Sequence, residues 1–415
     1  MKILVVTQYF WPENFKINDM VVDLSGRGHD VSVLTGMPNY PEGKIYESFL
    51  EDPAEFKAIA NAKIIRVPIV PRGVNSIQLV LNYLSFALAA TLFGSYKLRH
   101  QDFDVVFVFE PSPVTVGIPA CFLGWVKNAP VIFWVQDLWP ESLQAIGIVR
   151  SKVILGIIAG LVRYIYKRCD LILAQSRSFI PHIKKYANDF TQVIYFPNWA
   201  ENISDLSNVV YAEEIPIENG SFDIMFAGNI GEAQDFPAIL AAAELIKNHK
   251  RIRWLIVGDG RMADWLKNEI KKRKLQNCVL MVGRHPPERM PSFFKHANVL
   301  LVSLKDEPIF SLTIPSKLQS YLAVGKPILA MLNGEGARVL SESGSGIACP
   351  AGDAQTLADS VLKLSAMGVE ELEEMGRKGF EYSNQEFNRN ILITKLEQLL
   401  LTTKMDKFDR RTKSA

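Results

Sequence analysis

Short apolar runs alternate along this chain with amphipathic stretches of helical length, and polar or glycine-bearing turns separate them. Lys2 to Val6 (KILVV) reads as a first strand. Lys16 to Arg27 reads as a helix, with Ile17, Met20, Val21 and Leu24 at i, i+3, i+4 and i+7 and Gly28 as its stop. Val31 to Leu34, Ile64 to Val67, Val105 to Phe109, Val131 to Val135 and Leu171 to Ala174 are further strand-type runs, with helices predicted near 77–98, 114–126 and 151–168. Strands that are apolar on both faces and separated by helices specify a parallel sheet covered on both sides. The stretch 198–220, NWAENISDLSNVVYAEEIPIENG, has no sustained period and is predicted to be a linker. A second alternation then begins at Ile224 to Ala227 and continues through Arg253 to Val257, Val279 to Val282, Val299 to Val302 and Ile328 to Leu332. Glu386 to Leu401 places Phe387, Ile391, Leu392, Leu396, Leu399 and Leu400 on one face, and MDKFDRRTKSA after it is polar and basic.

Length supports the same division. At 415 residues the chain fits two domains that each bury a core. We expect a first domain over 1–202, completed by the helix at 386–402, a second over 203–385, and a frayed or lipid-resting tail over 403–415. With 46 basic and 44 acidic residues, net +2, global charge gives no footing for nucleic-acid binding. Cys121, Cys169, Cys278 and Cys349 are scattered, form no CxxC pair and have no His at ligand spacing, so they read as buried thiols in a reducing compartment with no metal site. The first strand follows Met1 directly, without the pattern of a secretory leader, which predicts a cytoplasmic protein. Ile77 to Gly94 contains 18 residues without a charge, the length at which a spanning helix becomes possible. Gln78, Asn82 and Ser85 recur there at helical spacing, and a span inside a doubly wound domain would split the sheet, which favours a docked or interfacial helix.

The candidate chemistry gathers at strand ends. Pro315-Ser316-Lys317 opens a short helix that Gly325-Lys326-Pro327 ends. Free N–H groups, the positive end of the macrodipole, a hydroxyl and an ammonium there suit an anion, although an ordinary capped helix start looks the same in sequence. Gly228-Asn229-Ile230-Gly231, Gly258-Asp259-Gly260 and Gly283-Arg284-His285-Pro286 follow other strands of the second domain, where open sheets bind ligands. In the first domain Gln136-Asp137-Leu138-Trp139-Pro140-Glu141 ends a strand. Asp137 and Glu141 either face a cleft, Asp137 as a general base, or serve as cap and first-turn acid of the next helix. Tyr9, Trp11, Asn39 and Tyr40 follow the first two strands and offer rings and amides to a sugar, or simply pack their loops. Asp102-Phe103-Asp104 fits a metal–diphosphate DxD pattern but precedes its strand and reads as a surface turn, and His182, His249 and His296 have no partner ligands.

Taken in order, these segments resemble a family 4 retaining glycosyltransferase of the GT-B fold, an α/β architecture of two Rossmann-like doubly wound parallel-sheet domains facing a cleft. The resemblance rests on Gly26-Arg27-Gly28-His29-Asp30-Val31, Asp137-Leu138-Trp139-Pro140-Glu141-Ser142, Ala174-Gln175-Ser176, Phe196-Pro197-Asn198, Gly228-Asn229-Ile230-Gly231, Val257-Gly258-Asp259-Gly260, the Pro315-Ser316-Lys317 turn, Gly325-Lys326-Pro327 and Gly352-Asp353. Pro38-Asn39-Tyr40-Pro41, Gln136 to Glu141 and Pro315 to Tyr321 are most similar to the bacterial O-antigen and exopolysaccharide branch, which includes WbuB-type N-acetyl-L-fucosaminyl transferases. The resemblance implies a UDP-sugar donor, no metal cofactor, a polyprenyl-diphosphate-linked saccharide acceptor, and peripheral attachment to the anionic inner face of the cytoplasmic membrane. It implies donor contacts from Gly228, Asn229, Gly231, Arg284, His285, Thr313, Pro315, Ser316, Lys317, Gln319 and Ser320, acceptor contacts from Tyr9, Trp11, Asn39, Tyr40 and Gln136, and catalysis by Asp137, Glu141 and Lys317. The family's usual E-x7-E pair would fall at Leu312 and Ser320, so ribose contact would pass to Ser320 or Gln319. The Arg and Lys that commonly follow the first loop of the second domain are absent from GNIGEAQDF, which shifts the diphosphate load onto Lys317, Arg284 and backbone amides. A UDP-sugar 2-epimerase of the same architecture and a non-catalytic nucleotide-sugar-binding subunit are the alternatives.

Overall fold

The computed structural model describes residues 1–73, 75–145, 149, 151–201 and 206–412. The chain forms two compact units, Met1–Pro197 with the C-terminal segment from Asn390, and Asn198–Arg389. The boundary expected at 202/203 lies outside the described residues.

Unit 1 is built on β1 (Lys2–Val6), β2 (Asp30–Gly36), β3 (Ala58–Ile59), β4 (Ala62–Val67), β5 (Val105–Glu110), β6 (Val131–Val135), β7 (Leu171–Ala174) and β8 (Gln192–Tyr195). Their order is β3-β4-β2-β1-β5-β6-β7-β8, parallel except for the β3–β4 pair. Strands β5 and β6 are buried at every position because helices cover both faces, which explains their unbroken apolar sequences. From the β1–β5 boundary the chain winds outward in opposite directions, so their C-terminal ends open a crevice.

Helix α1 (Lys16–Gly26) buries Ile17, Met20, Val21 and Leu24, the spacing that predicts it. The uncharged segment forms α2 (Ser76–Ala89), capped by the Asn75 side chain on the Gln78 N–H, and continues through one π turn, Ala90–Gly94, into Ser95–Lys97. By length and composition this run is long and apolar enough to cross a membrane. One face is packed into the unit: Phe86 and Ala90 are buried, and a Cβ added to Gly94 would stand 2.8 Å from Leu34 Cδ2. Asn82 on that face donates to the Val70 carbonyl at 2.6 Å and accepts from Gln8 Nε2 at 2.6 Å and Tyr9 Oη at 3.2 Å. These bonds explain a buried amide in an apolar helix. Helix α3 (Lys152–Tyr166) buries only Val162, Ile165 and Tyr166.

Unit 2 contains β9 (Phe222–Ala227), β10 (Ile252–Val257), β11 (Val279–Gly283), β12 (Val299–Ser303), β13 (Ile328–Met331) and β14 (Gly346–Cys349). All are parallel, in the order β11-β10-β9-β12-β13-β14. This is the dinucleotide-fold order, with its switch point between β9 and β12. Helix α4 (Ser316–Val324) follows β12 and ends on Gly325 at φ 72°, a left-handed cap that favours glycine.

Two expectations change. Much of the stretch predicted as a linker packs into unit 2, because Trp199, Ala212 and Ile215 are buried and Ala212 N–H bonds the Ser292 carbonyl at 3.2 Å. The last helix, α5 (Arg389–Thr412), does not fray after 403. Thr403 is buried, Lys404 pairs with Asp104 at 2.7 Å and Lys407 with Asp170 at 3.0 Å, so these two lysines of the tail have acidic partners in unit 1.

Candidate functional site

At the switch point of unit 2 the backbone comes unusually close to itself. Gly228, directly after β9, has φ 134°, and its N–H bonds the Val257 carbonyl at 2.8 Å. A Cβ on Gly258 would stand 1.9 Å from the Gly228 carbonyl oxygen, so only glycine lets these two loops stack. The stacked loops bound a cavity of about 440 Å³ lined by Gly228, Asn229, Gly258, Asp259, Gly260, Arg284 and His285. Arg284 is exposed at its rim. His285 donates Nε2–H to the Val282 carbonyl at 3.3 Å and accepts at Nδ1 from Arg289 at 3.3 Å, while Glu214 holds that guanidinium at 2.6 Å.

Lys317 comes from the first turn of α4 and packs against Gly228: a Cβ there would meet Lys317 Cε at 2.5 Å. The ammonium lies 3.4 Å from the centre of the Phe226 ring and has no hydrogen-bond partner among the described residues. Burial alone lowers its pKa from 10.5 to about 7. Tyr321, one turn along, fixes the helix against β9: its hydroxyl accepts from Ala227 N–H at 2.9 Å and donates to the Ala227 carbonyl at 3.2 Å. Pro315 at the N-cap supplies no side-chain acceptor; Leu318 N–H donates to the Pro315 carbonyl at 2.9 Å, and the N–H groups of Ser316 and Lys317 stay open to an anion.

Unit 1 has its own site at the β1–β5 crevice. A cavity of about 530 Å³ has Tyr9, Tyr40, Arg72, Tyr83, Asp137 and Trp139 in its lining. Asp137, just past β6, accepts from Trp139 Nε1 at 3.2 Å, and burial raises its pKa. Glu110, the last residue of β5, is fully buried beside it. Its carboxyl is pushed well above the usual range by burial and then by the Asp137 charge, and Oε1 has no partner among the described residues. Arg72 donates to Tyr9 Oη at 3.3 Å and lies 5.2 Å from the Tyr40 ring centre. Among the described residues no three His, Cys, Asp or Glu side chains gather as a metal site.

Comparison with known proteins matches each unit to a glycosyltransferase family. Residues 16–199 match the family described as "Glycosyl transferase 4-like domain", and residues 210–382 the family described as "Glycosyl transferases group 1". The chain is a GT-B glycosyltransferase. It is 28% identical over 330 residues to the probable glycosyltransferase WbjE of Pseudomonas aeruginosa, covering 76% of this chain and 80% of WbjE. It is 24% identical to the putative colanic acid biosynthesis glycosyl transferase WcaI of Escherichia coli K12, covering 78% and 82%. The fold matches Anabaena HepE, solved with UDP and glucose, at a TM-score of 0.65 and 14% identity over 96% of this chain and 99% of HepE.

In this glycosyltransferase the predicted residues separate into those that line cavities and those that support them. Gly228, Asn229, Arg284 and His285 share one cavity, with Lys317 against its Gly228 wall; Pro315 and the exposed Ser316 begin α4. Gly231 is not part of that lining, and its N–H donates to Gln234 Oε1 at 3.0 Å. Gln319 is buried and donates to the Asn198 carbonyl at 2.7 Å, which leaves its amide nitrogen committed within the fold, while Ser320 is half-buried. Thr313 Oγ1 donates to the Phe310 carbonyl at 3.1 Å. In unit 1, Tyr9, Tyr40 and Asp137 line the cavity, whereas Trp11 packs 4.9 Å from the Phe56 ring. Asn39 is 0% exposed, its N–H on Glu13 and its amide on the Met37 carbonyl, so it shapes the loop from inside. The Gln136 backbone bridges Glu110 and Gln175, and Glu141 heads a short helix 3.7 Å from His182 instead of joining Asp137. Asp104 of the DxD match pairs with Lys404. Arg72, Tyr83 and Glu110 escaped the sequence reading; the one available signal was an acid closing the apolar strand VVFVFE.

Proposed function

We propose that the protein is a retaining transferase that moves an N-acetylated sugar, such as N-acetyl-L-fucosamine, from UDP to a lipid-diphosphate-linked saccharide in O-antigen, capsule or exopolysaccharide synthesis. It would work as a peripheral protein at the inner face of the cytoplasmic membrane. The observation that carries the reading is the unpartnered ammonium of Lys317 beside the open first turn of α4 at a nucleotide-fold switch point. A buried cation with no counter-charge is costly, and a diphosphate supplies the missing partner. The resemblance to WcaI, named for colanic acid biosynthesis, and the shared fold with HepE, solved with UDP and glucose, support the substrate class.

As the glycosidic bond breaks, negative charge grows on the leaving UDP. Lys317 and the first-turn N–H groups stabilise that charge without reorganising. The positive charge is the protein's own, so the reading needs no metal. Asp137, whose raised pKa makes it a better base than an exposed carboxylate, accepts the proton of the attacking hydroxyl. No paired nucleophile is assigned, and retention follows from attack on the face the leaving group departs from.

A panel of UDP-sugars with polyprenyl-diphosphate-linked saccharides, in the presence of EDTA and read by mass spectrometry, tests the proposal. The expected result is one new glycosidic bond with the donor's anomeric configuration. Turnover of the UDP-sugar without acceptor to a 2-epimer, or UDP binding with no transfer to any member of the panel, would overturn it.

A further inference from the structure

The lining of the unit 1 cavity is of two chemical kinds. Arg72, Tyr9 and Tyr83 supply its polar part, and Leu79, Val80 and Leu84 of α2 together with Ile154, Ile158 and Leu161 of α3 supply an apolar part. Arg72 has no carboxylate partner among the described residues, and its polar contact is the Tyr9 hydroxyl. We propose that this groove binds an isoprenoid phosphate, with the phosphate on Arg72 and the first isoprene units between α2 and α3. The inference rests on the lipid-linked acceptor reading above and assigns its lipid-recognising subsite.

Three observations specify the occupant. The walls are branched aliphatic side chains held half-open to solvent: Leu84 is 47% and Ile154 is 49% exposed. A saccharide has no use for such walls, whereas methyl-branched hydrocarbon packs against them. The apolar surface does not end at the cavity mouth. Ile77, Leu81 and Leu88 continue it along α2 and Val153 and Ile157 along α3, all at least 48% exposed. A volume of about 530 Å³ holds only a short piece of a long chain, so the remainder has to leave over that exposed surface, as it does when the chain stays in a bilayer. Finally, among the described residues Arg72 is the one strongly basic group lining the cavity, and the fork of a guanidinium fits a phosphate oxygen pair. A peptide partner would bring backbone amides against Leu79, Ile158 and Leu161 with nothing there to bond them.

Isothermal titration with geranylgeranyl monophosphate below its aggregation concentration tests this directly, with geranylgeraniol, inorganic phosphate and phosphatidic acid as comparison ligands. Geranylgeranyl monophosphate should bind at least about tenfold tighter than any of the three, and Arg72→Gln should remove about tenfold or more of that affinity. Leu84→Gln, at a half-exposed position that folding tolerates, should weaken it several-fold, and Leu50→Gln, on an exposed leucine away from the groove, should not. UDP affinity measured on the same samples should be unchanged throughout. Equal binding of geranylgeraniol, a preference for phosphatidic acid, or indifference to both groove variants overturns the inference. Normal UDP binding in such a case leaves the transferase reading standing, so the two failures are distinguishable.

Discussion

Replacing Lys317 by methionine separates a lysine kept for a ligand from one kept for the fold. The shift from 10.5 to about 7 corresponds to a desolvation cost of at most about 5 kcal/mol when the group is charged. The unfolded chain holds this proton up to about 10.5 and the folded chain only to about 7, so the unfolded state binds more protons between those values. Stability from this group therefore rises with pH across that window, and the penalty is fully present below it. Methionine keeps the unbranched stem that packs on Phe226 and deletes the charge. Side-chain relaxation leaves a gain of about 1–3 kcal/mol, the range for an unsatisfied buried polar group. That raises Tm by about 3 to 10 °C for a unit of this size. UDP affinity should move the other way. Losing a charge-assisted contact worth about 1.5–3 kcal/mol weakens binding by about 10- to 150-fold. Thermal unfolding and titration with UDP at pH 7.0 check both halves. A lower Tm with unchanged UDP affinity would refute the assignment, because it would make Lys317 a packing residue.

Other outcomes follow from the same geometry. At pH 8 free Lys317 is mostly neutral, so UDP binding should take up close to one proton; titration in buffers of different ionisation enthalpy should show this uptake, its disappearance below about pH 6, and its loss in Lys317→Met. Asp137→Asn should lower kcat by about 10²- to 10⁴-fold with UDP affinity intact, and the acid limb of the wild-type kcat/KM profile should lie above the ordinary carboxylate range, since the base form is lost as pH falls through a raised pKa. Truncation after Thr402 should lower the Tm of unit 1 by a few degrees, because it removes buried Thr403 and two ion pairs worth about 0–1 kcal/mol each; an unchanged Tm would mean that the tail contributes nothing.

What could be read from sequence was local. The runs KILVV and VIFWV, the i, i+3, i+4, i+7 pattern of α1 and the glycine stop at Gly325 depend on neighbours within one or two turns, and they fall where the pattern puts them. The convergence of the Gly228, Gly258 and Arg284 loops was also legible, because parallel strands of one sheet must end on one edge. The direction of side chains on those loops was not. Asn39 and Gln319 carry the amides that sugar and ribose contacts need, but each is committed to a backbone partner inside its own unit. The basic tail looked free because Asp104 and Asp170, its partners, lie more than 230 residues away in the chain. Arg72 and Glu110 gain significance only from what surrounds them: phenols in one case, and in the other complete burial next to a second carboxyl.

The departure from the E-x7-E pattern has a physical consequence that can be tested by restoring half of it. Ser320 stands three residues after Lys317 on α4, so the two are neighbours on one helix face. A glutamate at 320 would offer the ammonium a carboxylate within its own helix. With serine there, Lys317 keeps its charge uncompensated, in a position where a chain without the usual Arg and Lys after β9 has few other cations to give a diphosphate. Ser320→Glu should therefore act as an internal competitor. It raises the Lys317 pKa, cuts the proton uptake on UDP binding at pH 8, and weakens UDP binding by about two- to fivefold, the scale of a helical ion pair strengthened by partial burial. Ser320→Gln, which adds the same bulk without charge and loses the same hydroxyl, should leave proton uptake near wild type and bind UDP more tightly than the glutamate variant. If the glutamate variant binds UDP with undiminished affinity and full proton uptake, then the proton is taken up elsewhere, and the diphosphate is held by the helix amides without Lys317.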